Sequence, residues 1–354
     1  MKKKNKAKGF SFREIRPVEW ERGRLRDILR RKMRMRRVLV VGDVGVDRYT
    51  IGSVERISPE APVPIVLVEE EQLKLGLAAN VADNVQALGG VPLLLGVVGD
   101  DRIVHDFKKL LRATRISAQH LVTDGKRRTV LKERIVSDRQ QLLRVDYETI
   151  GPLSSHTESQ VLKTFKNLLK DCDVVVIEDY HKGLLSLDLA ASLISAARKA
   201  GKCVAIDPNA KTPLAWYEGA TLLTPNTREA ESLSGIKIRD ENTLAEAGFF
   251  ILDETSAEHV VITRGKEGMA LFSAGSRTIE LIPTYAREVY DVSGAGDTVI
   301  SVLALALSGG ANISEAAIIG NLAAGVEVGK RGTATVTPDE VEMALDFFAG
   351  ARAF

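Results

Sequence analysis

Short apolar runs that stop at a glycine or an acidic residue, each followed by a helical stretch, alternate through most of this chain and leave few folds open to it. Arg37–Val41 runs into Gly42-Asp43, Val174–Ile177 into Glu178-Asp179, and Cys203–Ile206 into Asp207, with Leu222–Leu223 and Val260–Thr263 completing the strand set. Helices are predicted over Thr157–Leu169, Leu187–Lys199 and Thr227–Leu233, with another near Leu244–Leu252. Earlier come a helix over Ala78–Leu88 stopped by Gly89-Gly90, a strand over Pro92–Val98 and a helix over Ile103–Leu111. Unbroken apolar strands between helices call for a mostly parallel sheet covered on both faces. Such sheets bind ligands beyond the carboxyl ends of their strands. The residues placed there are Asp43, Asp47, Asp179, Asp207, Asn226 and Gly265. Two segments break the alternation. Thr50–Glu69 carries three prolines, and Arg128–Val136 is followed by Gln140–Tyr147 across Ser137-Asp138. Prolines bar a central strand, so an edge or a projecting sheet is predicted.

The chain has 354 residues and 45% apolar content, enough for one large domain or two ordinary ones. It holds no run of 18 or more apolar residues, so no membrane span is expected. The basic N-terminus lacks a following apolar core and is not a secretory signal. Cys172 and Cys203 sit beside buried strands and suit a reducing, cytoplasmic setting. Charge is uneven. Residues 1–37 hold six Lys and ten Arg against three Glu and one Asp, a net +12, which leaves −10 elsewhere. The expectation is a solvated extension, with a helix across Val18–Met35. Contact of this arm with nucleic acid or an anionic surface is the weaker alternative, because aromatics for base stacking are sparse there.

The chemistry concentrates in Asp291-Val292-Ser293-Gly294-Ala295-Gly296-Asp297-Thr298, followed by the apolar run Val299–Leu307. The glycines let the backbone approach a ligand and aim successive N–H groups into one space. The apolar run reads as a buried helix, so those groups lie at a helix N-terminus, which attracts phosphate. A phosphate would repel the Asp297 carboxylate unless that group has a task, and proton abstraction from an attacking hydroxyl is one. A Gly-rich turn capped by Asp is the plain structural alternative. Asn226 and Glu229 have capping-box spacing, and the same two oxygens suit hydrated Mg²⁺. Thr263-Arg264-Gly265-Lys266-Glu267-Gly268 either tracks a nucleotide or makes a hairpin turn. Lys182, in Asp179-Tyr180-His181-Lys182-Gly183, is either a phosphate ligand or a surface turn residue. No histidine has metal-ligand spacing, and neither a P-loop nor a Gly-x-Ser-x-Gly elbow occurs.

Taken together, these residues resemble the ribokinase-like (PfkB) carbohydrate kinases over about residues 36–345. Gly294-Ala295-Gly296-Asp297 after Asp291 is similar to that family's second signature. Asn226 and Glu229 match its Asn-x-x-Glu, and Asp43-Val44-Gly45-Val46-Asp47 matches its substrate loop. Arg56-Ile57-Ser58-Pro59-Glu60-Ala61-Pro62-Val63-Pro64, Gln140-Gln141-Leu142-Leu143-Arg144-Val145-Asp146 and the Lys182 segment look like the bacterial D-glycero-β-D-manno-heptose-7-phosphate kinases. Three positions depart from the pattern. Leu77 stands where such kinases have a second glycine, Asn209 where they often have Lys, and Asp138-Arg139 where they often have Arg-Asn.

The resemblance implies an α/β ribokinase-like three-layer sandwich over 37–354, with a small β lid from about 50–69 and 128–147 and a basic extension over 1–36. It implies ATP-dependent phosphorylation of the anomeric hydroxyl of a heptose 7-phosphate for ADP-heptose and lipopolysaccharide core synthesis. Asp297 would be the base, and the N–H groups of Gly294, Ala295 and Gly296 would bind the transferring phosphoryl group. Asn226, Glu229, Thr263, Gly265, Gly268 and Asn321 would hold ATP, with Glu229 reaching Mg²⁺ through water. Asp43, Asp47, Gly76, Asn80, Lys182, Asp207 and Asn209 would line the sugar-phosphate site, Lys182 taking the substrate's phosphate. Asp291 and Gly332 would form a monovalent-cation site for K⁺, and the lid would pair two subunits into a homodimer. The rivals are another sugar or nucleoside kinase of this fold and a non-catalytic scaffold.

Overall fold

The computed structural model describes residues 14–137, 140–286, 289–330 and 334–351. Asp138-Arg139 and Gly332 therefore lie outside the described residues. Among the described residues, nine strands form the main sheet in the order Glu14–Pro17, Thr278–Ile282, Met269–Ser273, His259–Thr263, Leu222–Leu223, Cys203–Asp207, Val174–Glu178, Arg37–Gly42, Val91–Leu95. From His259–Thr263 to Val91–Leu95 every pairing is parallel; Met269–Ser273 runs antiparallel to both neighbours. Alternate residues of each strand enter opposite cores. Val38 and Val40 face the layer built on Ala78–Ala87, Ala295–Ser308 and Ile313–Glu327. Leu39 and Val41 face the layer of Ser155–Leu168, Leu187–Lys199 and Glu241–Thr255. Burial on both faces is why these strands read as unbroken apolar runs. The helix Ala295–Ser308 lies in the first layer, wholly buried from Thr298 to Ala306, as a helix apolar all round must be.

The predicted strand over Pro92–Val98 is split. Gly96 leaves the main sheet, and Val97–Val98 pairs instead with Val122–Thr123. The hairpin Met269–Ser273 to Thr278–Ile282 was not predicted.

A second sheet projects from the carboxyl edge, in the order Pro64–Leu77, Val44–Ile57, Val130–Ser137, Gln140–Tyr147. Its prolines behave as their missing N–H requires: Pro59 and Pro62 lie in the turn, and Pro64 opens the edge strand. Val44–Ile57 is proline-free and pairs on both sides, so the central strand of this sheet begins before the proline-rich stretch.

The expected solvated extension is corrected for residues 14–36. Glu14–Pro17 adds a strand, parallel to Thr278–Leu281. A helix over Arg22–Asp27 runs into a π-helical turn, Ile28–Lys32. Leu25, Ile28, Leu29 and Met33 are at most 2% exposed, inside the main core. The arginines face acids near the other end of the chain: Arg22 with Asp346 at 2.7 Å, Arg26 with Glu342 at 2.6 Å, Arg24 with Glu315 at 3.0 Å, and Arg30 with both Asp339 and Glu342. Net charge concealed this pairing because the partners lie about 290 or more residues away.

Candidate active site

Gly294 caps the buried helix with φ +98°, a left-handed conformation that glycine adopts without strain. Ala295, Gly296 and Asp297 form the first helical turn, whose N–H groups have no intrahelical acceptor. Asp297 is half-buried. Its Oδ2 accepts from Asn80 Nδ2 at 2.6 Å, and its Oδ1 accepts from the Tyr180 hydroxyl at 2.9 Å. Burial pushes its carboxyl up to about 6, while these two donors pull the other way. The result is an oriented carboxylate beside a helix N-terminus.

Two cavities flank this helix start. The first, of 350 Å³, is lined mainly by apolar groups and includes Thr263, Gly265, Gly268, Ala295, Gly296 and Asn321. The turn after His259–Thr263 is the hairpin alternative in backbone terms, and it also walls this cavity. Gly268 has φ +84°, and a Cβ there would lie 1.9 Å from the Ile282 carbonyl oxygen, so only glycine fits. Asn226 and Glu229 stand beside the wall and form the capping box. Asn226 Oδ1 accepts from the Arg228 and Glu229 amides, and Glu229 Oε2 accepts from the Asn226 amide at 2.8 Å.

The second cavity, of 660 Å³, lies between the projecting sheet and the loop before the helix. Tyr49, Lys74, Arg134, Gln141, Asp291 and Ser293 are among its lining residues. Arg134 bonds Asp47 Oδ1 at 2.8 Å and stacks over the Tyr49 ring. Asp47 packs against Gly76, where a Cβ would sit 3.2 Å from its carboxylate. Leu77 is held at φ +58°, the conformation a glycine would take freely, at a cost of about 1–3 kcal/mol.

Other expected ligands have partners of their own. Asp43 Oδ2 and Oδ1 accept from the Lys182 and Leu184 amides, pinning that loop. Lys182 Nζ pairs with Glu148 at 2.7 Å. Asn209 donates to the Asp179 carbonyl and accepts from the Lys211 amide. Asp207 accepts from the Thr224 hydroxyl at 2.8 Å. Asp291 accepts from the Ser293 amide.

The sequence reading gave no role to Tyr180, although it lies inside a quoted segment, or to Glu178 and Glu327. Carboxylate oxygens of Glu178, Asp207 and Asp297 all lie within 4.8 Å of one another. An acid closing the run Val174–Ile177 was the available signal for Glu178. Burial holds the Glu178 and Asp207 carboxyls well above the usual carboxylate range, and neighbouring acids raise both further. Glu327 is wholly buried, neither of its oxygens has a hydrogen-bond partner, and its carboxyl is pushed up to about 8 by burial, with Asp291 adding to the effect.

Residues 35–340 match the pfkB family of carbohydrate kinases. The chain belongs to that family. The family is one of carbohydrate kinases. A "Bifunctional protein HldE" of Geobacter sulfurreducens is 42% identical over 316 residues, covering 88% of this chain, and one of Pelobacter propionicus is 42% identical over 310 residues. The kinase spans 63% of the length of each of these relatives. Among solved structures, Arabidopsis thaliana ribokinase with ribose and ATP aligns over 89% of this chain and 99% of its own, at TM-score 0.71 and 18% identity. Escherichia coli phosphofructokinase-2 in its tetrameric inhibited form aligns over the same shares at TM-score 0.73 and 18% identity. The fold is thus ribokinase-like: a mostly parallel sheet between helical layers, with a small β lid. No helix among the described residues is long and apolar enough to cross a membrane.

Proposed function

We propose that this kinase phosphorylates the anomeric hydroxyl of D-glycero-β-D-manno-heptose 7-phosphate, giving the 1,7-bisphosphate used for ADP-heptose and lipopolysaccharide core. The observation that carries the chemistry is the Asp297 carboxylate, fixed by Asn80 and Tyr180 at a helix N-terminus between two cavities. Asp297 takes the hydroxyl proton as the sugar oxygen bonds to the γ-phosphorus and the bond to ADP breaks. The N–H groups of Gly294, Ala295 and Gly296 bind the charge on the transferring group. The apolar 350 Å³ cavity suits an adenine ring and the lid-side cavity suits the acceptor. Heptose is favoured by the Ser58-Pro59-Glu60 and Gln140-Gln141 segments, both carried on lid strands or their turn. Lys182, paired with Glu148, and Arg134, paired with Asp47, are both candidates for the substrate's own phosphate, and Lys74 lines the same lid-side cavity as Arg134.

Oxygen-only donors fit Mg²⁺ here: Glu229 keeps Oε1 outside its capping bond, and Glu178 Oε1 has no hydrogen-bond partner. When bound, Mg²⁺ would offset phosphate charge. Asp291 and the buried, unpartnered Glu327 carboxylate suit a cation such as K⁺ at the start of the loop. Ile57, Leu67, Val68 and Leu143 of the lid are each more than half exposed, which supports a homodimer through this sheet. A cytoplasmic location goes with this substrate. The second reading is another sugar or nucleoside kinase, favoured by the Leu77 and Asn209 departures.

Asp297→Asn tests the site. A positioned base contributes roughly 10² to 10⁴ in rate. The variant should lose about a thousandfold in kcat with little change in ATP affinity; activity within tenfold of the parent would remove Asp297 from the base role.

A further inference from the structure

Glu178 closes the strand Val174–Glu178 and stands in register beside Asp207 on the next strand. It is 1% exposed, and its Oε1 has no hydrogen-bond partner. One oxygen from each of Glu178, Asp207 and Asp297 lies within 4.8 Å of the other two. Asp207 and Asp297 are only half-buried, so the group opens towards the helix start. Three carboxylates this close cannot all stay charged unless protons or a cation offset them. A proton shared between two of them offsets only one of the three charges. A hard divalent cation satisfies all three donors at once.

We propose that Glu178, Asp207 and Asp297 together hold one divalent cation before nucleotide arrives, with Glu178 as its innermost ligand. This deepens the kinase reading and rests on it only for the reaction the cation serves. Glu229 lies outside this cluster of three, and its free Oε1 is left to reach the cation through water. The cation sets the three carboxylates at a fixed spacing beside the N–H groups of Ala295 and Gly296. Glu178 is then a positioning residue: it never meets the sugar, but it fixes the place of the charge beside Asp297.

The probe is Mn²⁺ alone, added to the nucleotide-free full chain and followed by electron paramagnetic resonance. The expected result is one bound Mn²⁺ per chain, with three or fewer of its about six positions left to water, counted by deuterium modulation in D₂O. Glu178→Gln should weaken binding roughly tenfold or more, and Glu229→Gln by less than about threefold. Mn²⁺ should also raise the unfolding temperature of the parent but not of Glu178→Gln. The water count needs no variant and stands even if Glu178→Gln folds poorly. Five or more retained waters, unchanged affinity in a folded Glu178→Gln, or a greater loss in Glu229→Gln would each overturn the proposal. A parallel turnover assay separates the two claims: Mn²⁺ bound as described with another sugar phosphorylated refutes the heptose acceptor and leaves the cation site intact.

Discussion

Ile28→Ala tests whether the basic arm is part of the folded body. Ile28 is wholly buried where the arm's helix turns into the main core, alongside Leu25, Leu29 and Met33. Truncating a packed isoleucine to alanine costs about 2–5 kcal/mol, through lost transfer energy and the cavity left behind. The arm's ion pairs are the competing explanation. The side chains of Arg22, Arg24, Arg26 and Arg30 are 39–47% exposed, and surface pairs contribute about 0–1 kcal/mol each. Ile28→Ala should therefore cost more than Arg30→Ala, although Arg30 meets two acids. The assay is equilibrium urea unfolding followed by circular dichroism, at low salt and at about 0.5 M salt, where exposed pairs are screened. A cost below about 0.5 kcal/mol for Ile28→Ala would refute the reasoning. So would a larger cost for Arg30→Ala that salt erases, since the arm would then be held by charge.

Other outcomes follow from the same structure. A base acts only when deprotonated, so kcat/KM should rise with pH through an acid limb at or below about 6, the value burial gives Asp297 without a cation; a limb near 8 in the pH–rate profile would point to another group. Glu327 is pushed up to about 8 in the folded chain. Its contribution is therefore full below the unfolded value and lost as pH rises through 8. Stability of the parent relative to Glu327→Gln should fall between pH 5 and 8 by up to about 1.4 kcal/mol per unit in urea titrations, and parallel curves would contradict this. Leu67→Asp with Leu143→Asp on the exposed lid face should yield monomers by light scattering if the lid pairs subunits; an unchanged mass would place the interface elsewhere or show that there is none.

Most of the sheet was legible because strands buried on both faces leave unbroken apolar runs. The helix start at Gly294 was legible because a phosphate-binding turn needs glycine next to a long apolar helix. The arm was misread because Leu25, Ile28, Leu29 and Met33 are interleaved with arginines whose acidic partners lie at the other end of the chain. The lid's central strand, Val44–Ile57, was placed late because Val44–Asp47 was read as a substrate loop and the prolines draw attention to the turn. At the site, Asn80 and Asp297 could be named from their motifs, and the structure brings them to 2.6 Å. Tyr180 could not, and Glu178 offered only an acid at the end of an apolar run, since its place beside Asp207 comes from adjacency across strands rather than along the chain. Lys182 shows the opposite failure: its position in the segment was suggestive, but the Glu148 that engages it lies 34 residues earlier.

The acceptor is tested most directly by ³¹P NMR of the full kinase with ATP and D-glycero-β-D-manno-heptose 7-phosphate, run beside ribose, fructose and adenosine. The account predicts a new anomeric phosphate resonance appearing in step with ADP while the 7-phosphate signal persists, and much slower turnover of the other three. If ribose, fructose or adenosine is phosphorylated far faster than the heptose phosphate, or if the new phosphate is not on the anomeric carbon, the proposed function is contradicted.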